Sequence, residues 1–349
     1  MPKQGTSRLR YSHTIGLVAM EGRGFSNPVD LAISSEDRIY VVSRTNPEQP
    51  YGIRVGICNL ESDYFGDFGD YGSGDGQFVW PTALAFDSND NLYLADEYNH
   101  RVTVFDAEGN FLSCWGEEGS GDGQLGGPAG LCFDRDDNLY VADHLNSRVQ
   151  KFTRDGRFLL KWGEEGSGPG QLNLPWGIAL DPHGDVFVAD WRNDRIQKFS
   201  SEGRYLATVG GPGRDEGGLN RPSSVAVDAD GYVYIADWGN EKVQVVEPDG
   251  TFQPKLRGDA TLSRWAEEFY EANSDEKEAR EASNVFPALA PDVTTAHEAS
   301  ARIEKYFWAP VSVKLDHEGR LYVTESNRHR IQVYMRSEVG QRPVRRSGA

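Results

Sequence analysis

The side chains with the widest chemical range fall at one recurring place. Directly after an Ala-Asp pair that ends an apolar segment, or after its counterpart, the chain carries Arg44, Glu97, His144, Trp191, Trp238 and Ser326. A guanidinium, a carboxylate and an imidazole could bind a polar ligand or move a proton on it, and two indoles could wall it in. Tyr98 and Arg192 follow two of these positions. Trp80, Trp176, Phe307 and Trp308 stand near the starts of the next apolar segments, and Glu325 stands where other segments end in Asp. A scaffold alone would tolerate one residue type at every position, so this variation marks a candidate ligand or partner site.

Other groups point to less chemistry. Asp96, Asp143, Asp190 and Asp237 recur with Asn99, Asn146, Asn193 and Asn240. Their regular return fits turn-holding hydrogen bonds better than a metal site. The stretch "EEGSGDG" lacks the Lys-Ser/Thr ending of a phosphate loop, and its glutamates repel phosphate. The seven histidines form no zinc-type cluster, and no spacing supports a Ser-His-acid triad. No metal or cofactor is expected. Cys58 and Cys132 align with apolar residues of other segments and read as packing residues.

Repetition explains the spacing. "PTALAFD", "PAGLCFD", "PWGIALD" and "RPSSVAVD" place prolines at 81, 128, 175 and 222, each 47 residues apart, and irregular copies start at Pro28 and Pro310. Each copy reads as four short strands, a to d. In the third, these are Gly130–Phe133, Leu139–Ala142, Arg148–Phe152 and Phe158–Trp162, bounded by Gly, Asp and Asn. Four-stranded units of this period bury both faces only when packed radially on their neighbours. The expected fold is therefore an all-β, six-bladed β-propeller over residues 10–336. A glycine stands 12 residues before the proline of each regular copy and of the first, and the sixth copy stops after strand c. Arg10–Gly16 should then be the missing strand of the last blade.

The pattern "GSGDGQL…P.GL.FD…NLYVAD..NSRVQKF" and its relatives resemble the NHL-repeat family of six-bladed propellers. The resemblance implies the fold and a binding role, although propellers host many activities. A peptide-amidating lyase of similar fold carries zinc histidines at the strand-a entrances. The corresponding positions here hold none, which argues against that activity.

Two charged residues break the pattern near the propeller axis. Where other copies have small residues, the first has Asp30 and the sixth Lys314. These blades are neighbours, so the two should form a structural ion pair or face a polar ligand.

The register is interrupted twice. The first copy has six extra residues between strands b and c, in "SRTNPEQPYGIRV". The fifth-to-sixth spacing is 88 residues rather than 47, with the excess after Gly258. Both interruptions should emerge on one face, here called the loop face. Leu262, Trp265, Phe269 and Ala272 lie at helical spacing, and "TAHE" from Thr295 is a capping-box pattern. The segment 259–305 is thus expected to be a helical pair, either a lid or docking element over the funnel or a decoration on blades 5 and 6.

The whole chain has 349 residues and a net charge of −18, with no apolar run of membrane-spanning length and three cysteines. The acidity disfavours nucleic acid and anionic lipid as partners. The cytoplasm is the expected compartment, and the basic tail 337–349 is expected to be flexible. The leading expectation is a binding propeller that recognises a protein partner or small molecule on its loop face. The candidate residues are Asp30, Arg44, Glu97, Tyr98, His144, Trp176, Trp191, Arg192, Trp238, Trp308, Lys314 and Glu325. The alternative is a small-molecule hydrolase or lyase with the insert as lid and with Arg44, Glu97, His144 and Glu325 as acid–base groups.

Overall fold

The computed structural model describes residues 8–45, 52–290 and 292–337. The extra residues of the first b–c connection, 46–51, and the tail beyond 337 lie outside the described residues.

Local turn chemistry sets the strands. In the third copy, Asp134 Oδ1 accepts from the backbone N–H groups of Asp136 at 3.0 Å and Asn138 at 2.9 Å. That turn folds strand a, Pro128–Phe133, back onto strand b, Asn138–Asp143. Strands c and d, Arg148–Thr153 and Phe158–Trp162, complete an antiparallel blade ordered a-b-c-d. The expected bounds hold to within two residues. Outward strand d alternates in burial and the central strands are covered on both faces, as blades packed between neighbours require.

Among the described residues the chain forms six blades, five of them with this four-stranded order. Each hydrophobic cluster joins two neighbours: Tyr40 and Val42 of blade 1 pack with Leu84, Leu94 and Phe105 of blade 2. Close approach at the axis dictates small residues. A Cβ on Gly130 would lie 2.3 Å from the Trp176 carbonyl oxygen, and one on Gly177 would lie 2.6 Å from Ser224 Cα. The N-terminal strand closes the ring. Leu9–Ile15 pairs antiparallel with Arg330–Arg336, from Leu9 opposite Arg336 to Ile15 opposite Ile331, and becomes strand d of blade 6.

Blade 5 departs from the expected four strands. Its regular sheet has three, Pro222–Val227, Val233–Asp237 and Lys242–Val246. Strand d is reduced to bridges at Phe252 and Leu256. Pro254 lies between them and has no N–H to donate, which accounts for the broken ladder.

Among the described residues the insert holds three helices rather than two: α1 (Arg264–Ala272), α2 (Ser274–Ala282) and α3 (Ala296–Arg302). Ser263 caps α1 and Thr295 opens α3 with the expected capping box. The insert is pinned at its base, where Ala260 N–H donates to Lys305 O at 3.2 Å and Phe307 N–H to Arg257 O at 2.8 Å. Its first helix does not stay on the loop face. Trp265, fully buried, packs with Phe25 and Tyr64, and its indole N–H donates to Ser62 O at 2.6 Å. Because Ser62 belongs to the c–d turn of blade 1, α1 fills the outer groove between blades 6 and 1. Among the described residues, the interruption after Gly258 is thus not confined to the rim expected for it.

Candidate functional site

The neck of the propeller is closed. Asp30, Ala83, Gly130, Gly177, Ser224 and Ser312 ring a cavity of about 20 Å³, room for about one water. Asp30 is buried there. It accepts from Leu84 N–H at 2.9 Å and from Ser312 Oγ at 2.5 Å, and pairs with Lys314 Nζ at 3.1 Å. The two charged exceptions therefore form an ion pair that ties blades 6, 1 and 2 together, and Lys314 also lines a cavity of about 540 Å³ with Leu31, Leu84, Leu131 and Asp316. No residue of the insert lines the neck.

Above the neck, side chains from consecutive blades touch in sequence. The Arg44 guanidinium lies 4.4 Å from the centre of the Trp80 ring. Burial lowers its pKa to about 10, and the nearby Glu97 carboxylate works in the opposite direction. Its Nη1 is buried without a hydrogen-bond partner among the described residues. Glu97 Oε1 is 3.3 Å from His144 Nε2, an ion contact rather than a hydrogen bond, and among the described residues neither ring nitrogen of His144 has a hydrogen-bond partner although the residue is only 6% exposed. Trp176 meets the imidazole edge-on at 5.1 Å. Gly127 makes room for this ring: a Cβ there would lie 2.7 Å from His144 Cδ2. Tyr98 stands exposed beside Glu97 in the chain.

Burying unpaired polar groups is costly, so a cluster of them next to aromatic walls is a site that binding can complete. Its directional groups are the Arg44 donor and the His144 ring.

The remaining candidates fall into two further groups. Trp191 and Trp238 lie 6.4 Å apart, tilted by 43°, with Arg192 at 5.4 Å and Arg221 at 5.0 Å from the Trp191 ring. Arg221 escaped the sequence reading because the residue before the recurrent proline follows no type: the other regular copies have Trp80, Gly127 and Leu174 there. Trp308 packs against His297 of α3 at 5.9 Å, a partner that only the insert's position reveals, and against Arg328 of its own blade at 5.1 Å.

Glu325 is not available for acid–base work. It is fully buried and accepts from Trp308 N–H at 3.0 Å, Arg330 Nε at 2.7 Å and Gln332 Nε2 at 2.7 Å. This is the slot of Asp143, which binds Gly126 N–H, Asn146 and Arg148 in the same way. The longer Glu side chain fills a structural position. Among the described residues, no three His, Cys, Asp or Glu side chains are grouped to hold a metal ion, and no helix is long and apolar enough to cross a membrane.

Five segments match the family model described as NHL repeat: residues 78–105, 125–152, 172–199, 219–246 and 307–334. No curated protein matches the chain. Among solved structures it is similar to a streptogramin B lyase (TM-score 0.55, 11% identity, 93% of this chain and 97% of that one). It is also similar to a catalytically inactive virginiamycin B lyase from Staphylococcus aureus with quinupristin (0.57, 12%, 94% and 99%). A third is a protein of unknown function from Bacteroides thetaiotaomicron (0.61, 16%, 94% and 76%). Identities this low establish the shared fold alone.

Proposed function

Taking as premise that this chain is an NHL-repeat six-bladed propeller, we propose that it is a binding protein whose loop-face mouth, over blades 1 to 4, recognises a small polar ligand or the tip of a partner protein. The supporting observation is His144, buried with neither ring nitrogen hydrogen-bonded among the described residues, beside Glu97 and Trp176, with Arg44 stacked on Trp80 next to them. A ligand offering an acceptor to Arg44 and a hydrogen-bonding group to His144 satisfies atoms that the protein leaves unpaired, and Trp80 and Trp176 supply apolar contact. The neck cavity of about 20 Å³ is too small to admit such a ligand, which supports placing it on the mouth. The exposed free thiol of Cys114 favours a reducing compartment, the cytoplasm.

A thermal-shift screen of small carboxylates, amides and sugars tests this reading, with wild type beside His144→Phe. At least one compound should raise the wild-type Tm by several degrees and lose that effect in the variant. A screen whose every hit stabilises both proteins equally rejects the mouth as the site.

The Glu97–His144 contact supports a second reading, a small-molecule hydrolase or lyase with these two as acid–base partners. It predicts turnover that His144→Gln abolishes; a ligand bound at the mouth and recovered unchanged favours the first.

A further inference from the structure

A second cleft has a chemistry at odds with the rest of the molecule. The chain has 54 acidic and 36 basic residues. Yet the cavity of about 520 Å³ between blade 5 and α3 is lined by Arg214, Lys242, Lys255, Arg257 and His297, with no carboxylate among its lining residues.

The repeat supplies the control. Position 214 is Arg where the other regular copies carry Ser73, Ser120 and Ser167. Lys161 of blade 3 is neutralised by Asp122 at 2.5 Å, whereas its counterpart Lys255 and the new Arg214 are exposed and enter no ion pair among the described residues. Arg257 is an extra residue: eight positions separate Gly250 from Gly258, against seven from Gly156 to Gly163.

The deeper cations are already engaged and form the wall. Lys242 Nζ reaches Asp215 O at 3.1 Å and Asp237 at 3.4 Å. Arg257 donates to Asn240 O at 2.9 Å, Glu241 O at 2.8 Å and Ser300 Oγ at 3.2 Å. Burial lowers the Lys242 pKa against the pull of Asp237, and Lys255 and Arg257 add to the lowering. A bound negative charge would relieve that repulsion.

We infer that the cleft between blade 5 and α3 is a binding site for a small, multiply charged oxyanion, a phosphorylated or polycarboxylate molecule, held at its mouth by Arg214 and Lys255. The chain's net charge of −18 disfavours a nucleic-acid strand or an anionic membrane as the occupant. The cavity has the volume of a small-molecule site. This site is separate from the mouth over blades 1 to 4 and does not depend on that reading.

Calorimetry on the full chain tests it, with pyrophosphate and citrate titrated at ionic strength matched with sodium chloride. At least one anion should bind saturably at submillimolar concentration. Arg214→Gln with Lys255→Gln should weaken that binding tenfold or more, and Lys161→Gln, the same position in blade 3, should leave it unchanged. Pyrophosphate alone binding assigns the site to phosphoryl ligands, and citrate alone to polycarboxylates. Absence of saturable binding by both, or equal binding by the double variant, overturns the inference. Because both substitutions are exposed, the folded variant gives a readable result in either case.

Discussion

At the scale of single residues, two kinds of buried polar group coexist and have opposite consequences. Asp190 is fully buried and fully used: it accepts from Asn173 N–H at 2.7 Å and pairs with Arg195 Nε at 2.8 Å. Asp190→Ala leaves a largely buried guanidinium without its partner, and chemical denaturation should show a loss of about 3–5 kcal/mol. His144 is buried with neither ring nitrogen hydrogen-bonded among the described residues, so His144→Phe should cost little stability and, on the proposed reading, remove binding. His329 titrates with a definite sign. Its Nδ1 accepts from Asn27 N–H at 2.9 Å, which requires a neutral ring, and burial lowers its pKa below the usual 6.5. Between the lowered value and about 6.5 the unfolded chain binds more protons, so stability is complete above this window and falls as pH drops through it. Thermal melts from pH 7 to 5 should show that fall reduced in His329→Asn. The amide oxygen can accept the same bond, and Asn tolerates the backbone at φ 52°. Which of these roles a residue plays was partly legible in the sequence. Recurrence marked the aspartates as structural, and variation singled out His144 as a candidate only. Glu325 varied too, but its slot proved structural, because a change of side-chain length within one chemical type does not signal a change of role.

At the scale of elements, the insert shows where sequence periodicity stops informing. The helical spacing of Trp265 and Phe269 and the capping box at Thr295 were readable, since both are local patterns. Helix α2 was not: its stretch "SDEKEAREA" has no apolar stripe, and Arg280 holds it through Glu304 at 2.6 Å, a partner 24 residues away. The docking of α1 depends on Trp265 meeting Ser62 O, a contact across about 200 residues that no local rule contains. The same holds for the basic cleft, assembled from residues 214, 255 and 297. Trp265→Ala should therefore cost about 3–5 kcal/mol, as for a large aromatic removed from a core. The loss should appear first as proteolytic cleavage within 259–305, with blades 2 to 4 still protected against hydrogen exchange. Uniform loss of protection would mean that α1 is an integral part of the propeller core.

At the scale of the whole molecule, the ring has one non-covalent joint, and its position was foreseeable because the sixth copy stops one strand short. Leu9–Ile15 closes blade 6, and the Asp30–Lys314 pair crosses the same seam at the neck. Deleting the chain up to Gly16 leaves Arg330–Arg336 as an unpaired edge, and an exposed edge of that length recruits other strands. The deletion should lower Tm sharply and shift size-exclusion elution toward oligomers. A relocation separates the strand from the joint. In blade 3, strands c and d follow each other through the turn between Thr153 and Phe158. Because Arg336 already lies opposite Leu9, residues 8–16 can follow residue 337 through an Asp-Gly turn while the chain begins at Leu17. That permuted protein keeps every blade contact and moves the break from the c–d hairpin of blade 6 to the connection between blades 6 and 1. Its Tm should lie within a few degrees of wild type, and it should elute as the wild-type species does. If it instead matches the deletion, the covalent link through Gly16 and Leu17, rather than the pairing of Leu9–Ile15, is what holds the ring shut.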